Sequence, residues 1–164
     1  MADSSRYIKT FTISWEQLHR DCRELAWRLL KKGTWKGIYA ITRGGLVPAA
    51  ILARELDIHN IDTVCLSTYT WKDQGDNTEI IKTVEGDGEG WLLIDDLVDT
   101  GGTAKIVREM LPKAYFATVY AKPQGRPMVD DCITEVSQDT WVLFPWDAGN
   151  QFVKPLADLS DNID

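Results

Sequence analysis

Three carboxylates fall within five residues at Asp95, Asp96 and Asp99, and four small residues, Thr100-Gly101-Gly102-Thr103, follow at once. Each half of the segment has a chemical use. Thr-Gly-Gly-Thr leaves the backbone bare, so successive amides can converge on a phosphate at the start of a helix, with two threonine hydroxyls as further donors. Asp95 and Asp96 would repel that phosphate on contact; they suit the hydroxyls of a sugar or a hydrated Mg2+. Asp99 stands between these functions, next to whatever the sugar carries. No Gly-Lys-Ser/Thr follows and no GxGxxG is present, so this is neither a Walker loop nor a dinucleotide fingerprint.

An acidic turn before a helix is often only solvated surface. Here the order of acids, small residues and helix follows the apolar run Trp91-Leu92-Leu93-Ile94, which reads as a buried strand. Thr42-Arg43-Gly44-Gly45 follows a second such run, Gly37 to Ile41, and combines a delocalised cation with room for close backbone approach. Taken alone, Arg43 also fits a surface turn. Lys122 follows a third run, Phe116 to Ala121, where a lysine can equally snorkel from a strand end. For Trp141, core packing is an open alternative to stacking on a ligand.

These groups need elements to hold them. Ser14-Trp15-Glu16-Gln17 reads as a capping box, and Trp15, Leu18, Cys22, Leu25, Ala26, Leu29 and Leu30 continue it at helical spacing to Gly33. Leu46 to Leu56 reads as a second helix, with Pro48 in its first turn, and Thr103 to Leu111 as a third, stopped by Pro112. Ile61 to Tyr69 is β-branched and reads as a strand, and Thr140 to Leu143 as a last short one. Thr70 to Gly90 is polar and glycine-rich; it reads as a long loop with a brief strand at Glu79 to Val84. Strands alternating with helices predict an α/β fold with a mainly parallel sheet, whose ligands gather at the carboxyl ends of the strands.

Length and composition narrow the field. The 164 residues fit one domain, with 1–164 as a single unit, a core over about 7–155 and a frayed acidic tail at 156–164. Apolar residues make up 44% and charged residues 26%, enough for a packed core. A net charge of -7 argues against nucleic acid as a general partner. No apolar run approaches the length of a transmembrane span, and the first ten residues contain no secretory h-region. Cys22, Cys65 and Cys132 are widely spaced, and His19 and His59 stand alone; this argues against a disulfide framework or a structural zinc and makes a reducing cytoplasm the default.

The segment from Leu92 to Thr103 resembles the 5-phosphoribosyl 1-diphosphate motif of the type I phosphoribosyltransferases: two apolar residues, two acids, a further acid, then Thr-Gly-Gly-Thr. Thr42 to Pro48 resembles the family's diphosphate loop. Ala121-Lys122-Pro123, Asp139-Thr140-Trp141-Val142 and Pro145-Trp146-Asp147 resemble the base-recognition region of the bacterial xanthine-guanine branch. The resemblance implies a mostly parallel five-stranded sheet flanked by helices, with a small hood over the purine. It implies transfer of the phosphoribosyl group to N9 of a 6-oxopurine (xanthine, guanine or hypoxanthine), with Mg2+ as cofactor and a homodimer or homotetramer as the assembly.

By the same resemblance, Arg43, Gly44, Asp95, Asp96, Leu97, Val98, Asp99, Thr100, Gly101, Gly102 and Thr103 line the phosphoribosyl diphosphate site. Asp95 and Asp96 take the ribose hydroxyls. Asp99 is the catalytic acid or base facing purine N7. Lys122 meets the 6-oxygen, Trp141 stacks on the base, and the Val142 backbone reads its edge. Asp96 and Asp147 are the metal-binding positions. The sequence departs from the pattern once: the arginine that closes the family's mobile loop is missing, and 70–90 offers only Lys72 and Lys82. A phosphoribosyltransferase-fold nucleotide sensor is the alternative function. The retained Asp99 and Arg43-Gly44, and the lack of a helix-turn-helix segment, speak against it.

Overall fold

The structure, a computed structural model, describes residues 7–71 and 75–147, with backbone alone at 68–71 and 75–77. Lys72 and the tail at 156–164 therefore lie outside the described residues. Six strands form the main sheet: β2 (Gly37–Thr42), β3 (Ile61–Trp71), β4 (Gly75–Lys82), β5 (Trp91–Val98), β6 (Tyr115–Ala121) and β7 (Asp131–Glu135). They lie in the order β4-β3-β2-β5-β6-β7, all neighbours parallel except the antiparallel β3–β4 pair. The central strands are buried on both faces over 37–41, 92–94 and 116–121, which is why those stretches read as mainly apolar runs.

Helices α1 (Trp15–Leu30) and α2 (Leu46–Leu56) cover one face, where Leu25, Leu29, Ala49 and Leu52 pack on Ile38, Leu92 and Ile94. Helix α3 (Gly102–Met110) covers the other, burying Ala104 and Val107 against Tyr39, Ile41, Leu93 and Phe116. The Ser14 hydroxyl accepts from the Gln17 amide at 3.1 Å, so the N-cap of α1 forms as the sequence predicts. Among the described residues no helix is long and apolar enough to cross a membrane.

Two strand expectations need correction. The sheet has six strands rather than five, because Asp131–Glu135 adds an edge strand beside β6. The backbone at 70–71 and 75–82 is a pair of hairpin arms rather than a loop: β3 runs to Trp71 and pairs with β4, and among the described residues of 70–90 strand pairing is absent only from 83–90. Polar side chains are tolerated there because β4 is an edge strand whose Glu79, Ile80 and Ile81 face solvent. The expected last strand forms as β8 (Thr140–Leu143), outside the main sheet, and pairs in parallel with β1 (Lys9–Thr12), matching Thr10 to Trp141. This pair is the hood.

Candidate active site

The chain leaves β2 towards β3 on one side and returns in β5 on the other, so the loops after β2 and β5 emerge side by side. That reversal opens a crevice at the carboxyl ends of the strands. Gly44 shows how tightly the loops meet: a Cβ there would land on the Asp96 carboxylate. The Thr42–Arg43 peptide is cis, and Arg43 is exposed, without an ion-pair partner among the described residues. Gly101 adopts φ +90°, the left-handed geometry that turns the chain into α3. It caps the helix without a side-chain hydrogen bond, so the first-turn amides of α3 face the crevice with no side-chain cap.

Asp95 and Asp96 sit partly buried within the carboxyl-terminal half of β5, which runs on past the expected Ile94 to Val98. The Asp95 carboxylate accepts from the Asp96 amide at 2.9 Å, and Asp96 accepts from the Leu97 amide at 2.7 Å. Burial, then the neighbouring Asp96 carboxylate, push Asp95 well above the usual carboxylate range. Burial lifts Asp96 to about 6 against the pull of its hydrogen bonds, and Asp147 adds further repulsion. Two confined acids short of positive charge suit sugar hydroxyls or a hard divalent cation with oxygen ligands. Asp147 is exposed and accepts from the Phe144 amide at 2.8 Å. No cluster of three or more acidic, histidine or cysteine ligands occurs among the described residues. A cation here would need ligands from the substrate as well.

Asp99, four residues beyond Asp95, is in the opposite situation. Lys122 donates to its Oδ2 at 2.9 Å, the Tyr7 hydroxyl donates to the same oxygen at 3.1 Å, and Gln138 donates to Oδ1 at 2.7 Å. Lys122 is 1% exposed, and its ammonium lies 4.5 Å from the centre of the Tyr7 ring. Tyr7 meets Trp141 edge to face, with ring centres 5.1 Å apart. Asp99, Lys122 and Trp141 are thus brought together through Tyr7. Val142 is buried one residue along β8, while Val98 is buried below Asp99 and accepts the Lys122 amide at 2.9 Å. Leu97, Gly101 and Thr103 are half-buried, and Thr100 and Gly102 are exposed along the turn.

Sequence reasoning missed Tyr7 and Gln138. Tyr7 lies two residues before β1 and reaches Asp99 only because β1 pairs with β8, so no local pattern marks it. Gln138 immediately precedes the recognised Asp139–Val142 stretch, and its polarity at a strand entrance was the available signal. Lys82, one of two candidate closing cations, is committed to Asp62 and the Thr63 carbonyl on the β3–β4 hairpin.

An anion turn at a helix start, an acid pair beside it and a crevice at the sheet's reversal define an α/β protein that binds phosphorylated sugars. The phosphoribosyl transferase domain matches residues 14–152, and the chain belongs to that family. It is 67% identical over 156 residues to the xanthine-guanine phosphoribosyltransferase of Nitratidesulfovibrio vulgaris strain DP4, covering 95% of this chain and 96% of that one. It is 66% identical over 153 residues to the enzyme of the same name from Desulfotalea psychrophila, covering 93% and 96%. Among solved structures, a purine phosphoribosyltransferase from Pyrococcus horikoshii superposes with a TM-score of 0.71 at 26% identity, over 90% of this chain and all of that one.

Proposed function

We propose that this chain transfers the 5-phosphoribosyl group from 5-phosphoribosyl 1-diphosphate to N9 of xanthine, guanine or hypoxanthine, releasing diphosphate and the nucleoside monophosphate. The observation that carries this reading is the buried Lys122 ammonium, held on Asp99 beside Trp141 and behind the Thr100–Thr103 turn. An ammonium in that position donates to a purine 6-oxygen and rejects adenine, whose amino group would present hydrogens to hydrogens. The names of the relatives support xanthine and guanine among these substrates.

The reaction divides among the residues as follows. Amides from Val98 to Thr103, with the Thr100 and Thr103 hydroxyls, hold the 5′-phosphate at the start of α3. Asp95 and Asp96 accept from the ribose hydroxyls. Arg43 and the Gly44 backbone hold the diphosphate. Asp96 and Asp147 would hold Mg2+, which when bound would supply positive charge against the diphosphate leaving group. The C1–oxygen bond breaks as N9 attacks C1. The proton that an N7-H purine must shed passes to Asp99, whose charge also faces the oxocarbenium-like sugar. Trp141 stacks on the base, and the Val142 backbone meets its edge.

We extend the proposal to a cytoplasmic homodimer or homotetramer. Trp15, Trp27 and Leu30 of α1 are each at least half exposed and supply apolar surface for self-association. The decisive assay is spectrophotometric turnover of each purine with the diphosphate sugar and Mg2+. Turnover of 6-oxopurines with none of adenine is the expected result, and failure with all three 6-oxopurines overturns the reading.

A further inference from the structure

We propose that Gln138 is a positioning residue for proton transfer, locking the plane of the Asp99 carboxylate and leaving one lone pair of its Oδ1 for the purine. Lys122 and Tyr7 both address Oδ2. Anchored at that oxygen alone, the carboxylate can still swing Oδ1 about the Cγ–Oδ2 axis as its side-chain torsions change together. Gln138 Nε2 holds Oδ1 at 2.7 Å and supplies the second point that fixes the plane. A carboxylate offers about four acceptor positions, two on each oxygen. Lys122 and Tyr7 take the pair on Oδ2, Gln138 takes one on Oδ1, and the remaining one can receive a proton from N7.

The amide is suited to this task by its two ends. Gln138 Oε1 accepts the Gln124 amide at 3.0 Å while Nε2 donates to Asp99. One side chain must therefore accept and donate, which a glutamate or methionine cannot do. Both anchors are stiff. The Gln124 turn is tied to the Lys122 carbonyl, which accepts from Gly125 at 3.1 Å and Arg126 at 2.9 Å. The Gln138 segment is closed by the Thr140 amide donating to the Ser137 carbonyl at 3.0 Å, with the Ser137 and Thr140 hydroxyls 2.7 Å apart. Gln138 thereby ties the turn behind Lys122, the acid at the reacting centre and the entrance to the hood strand that carries Trp141.

This inference rests on the acid-base reading of Asp99, and the experiment separates the two. Steady-state kinetics and guanylate affinity are measured on the full chain, its Gln138→Met and Gln138→Glu variants, Asp99→Asn, and Asp99→Asn combined with Gln138→Met. Gln138→Met is expected to lower kcat about tenfold through lost alignment, with both KM values and guanylate affinity within about twofold. Gln138→Glu keeps the latch to Gln124, so the fold survives, but sets a carboxylate against Asp99 and lowers kcat further. In the Asp99→Asn background, Gln138→Met is expected to add nothing, because its target is already lost. Full kcat in Gln138→Met, or an undiminished further loss in the Asp99→Asn background, overturns the role of Gln138 alone. An unchanged kcat in Asp99→Asn removes the acid-base reading and this inference with it.

Discussion

Asp95 lies within β5 and Asp99 just past its end, four residues apart, yet their surroundings are opposites. Asp95 is confined beside a second acid and accepts a backbone amide, with its carboxyl pushed well above the ordinary range by burial and by Asp96. Asp99 is met by an ammonium, a phenol and an amide from three separate parts of the chain. The contrast separates two ways of preparing a site. The first acid is held at a cost that a ligand's hydroxyls or cation can offset, so it favours binding. The second is satisfied before any ligand arrives, so its geometry is fixed before the chemistry.

The same isosteric swap should therefore act with opposite sign at the two positions. Asp99→Asn leaves the buried Lys122 ammonium without its counter-charge. We expect a loss of about 2 kcal/mol in the ligand-free protein, less than the roughly 3–5 kcal/mol of a fully buried broken pair because Asp99 is itself part exposed. Chemical denaturation at pH 7.5 reads it directly. An unchanged stability would mean that water already screens Lys122, and the comparison would lose its stronger half.

Asp95→Asn should instead stabilise the ligand-free protein, by about 1 kcal/mol or roughly 2–4 °C at this chain length. The sign follows from titration. Asp95 and Asp96 have folded values raised above their unfolded ones, so folding takes up protons. The stability they contribute is present below about pH 4 and is lost as pH rises through about 6 for Asp96 and through the raised value of Asp95. The amide removes the Asp95 share, so the gain should appear at pH 8 and shrink towards pH 4. Guanylate binding should weaken at the same time. A variant that melts lower at pH 8 would contradict the picture of a confined, uncompensated acid.

The two acids also differ in how far the sequence revealed them. The Asp95 surroundings were legible because everything involved is local: an apolar strand, its carboxyl end, and small residues opening a helix within one segment. Lys122 was legible for the same reason, at the end of β6. The partners of Asp99 were not, because Tyr7 lies 92 residues away and Gln138 lies 39 away. Their approach depends on β1 pairing with β8, a long-range parallel contact of two short strands whose composition does not fix a mate. Edge strand β7 escaped notice likewise. Asp131-Cys132-Ile133-Thr134-Glu135 is half polar, and its stability comes from pairing with β6 and from Arg28 of α1, which donates to the Cys132 carbonyl at 3.0 Å.

A third acid supplies a control away from the crevice. Asp21 of α1 is buried, and the Tyr120 hydroxyl donates to it at 2.6 Å inside the cluster of Ile13, Leu18 and Val119. Like Asp99 it is satisfied, but nothing it touches belongs to the site. Tyr120→Phe should cost about 1–2 kcal/mol, the penalty for a buried acceptor that loses its donor, and leave kcat and both KM values unchanged. The difference should also depend on pH. Burial first, then the hydrogen bond to Asp21, hold the Tyr120 phenol far above its usual value. The unfolded chain therefore releases that proton above about pH 10 while the folded chain keeps it, and the wild type loses about 1.4 kcal/mol per pH unit beyond that point. Phenylalanine has no proton to release. The two proteins should converge in stability near pH 11, and a gap that stays constant from pH 8 to 11 would show that the phenol titrates normally in the fold.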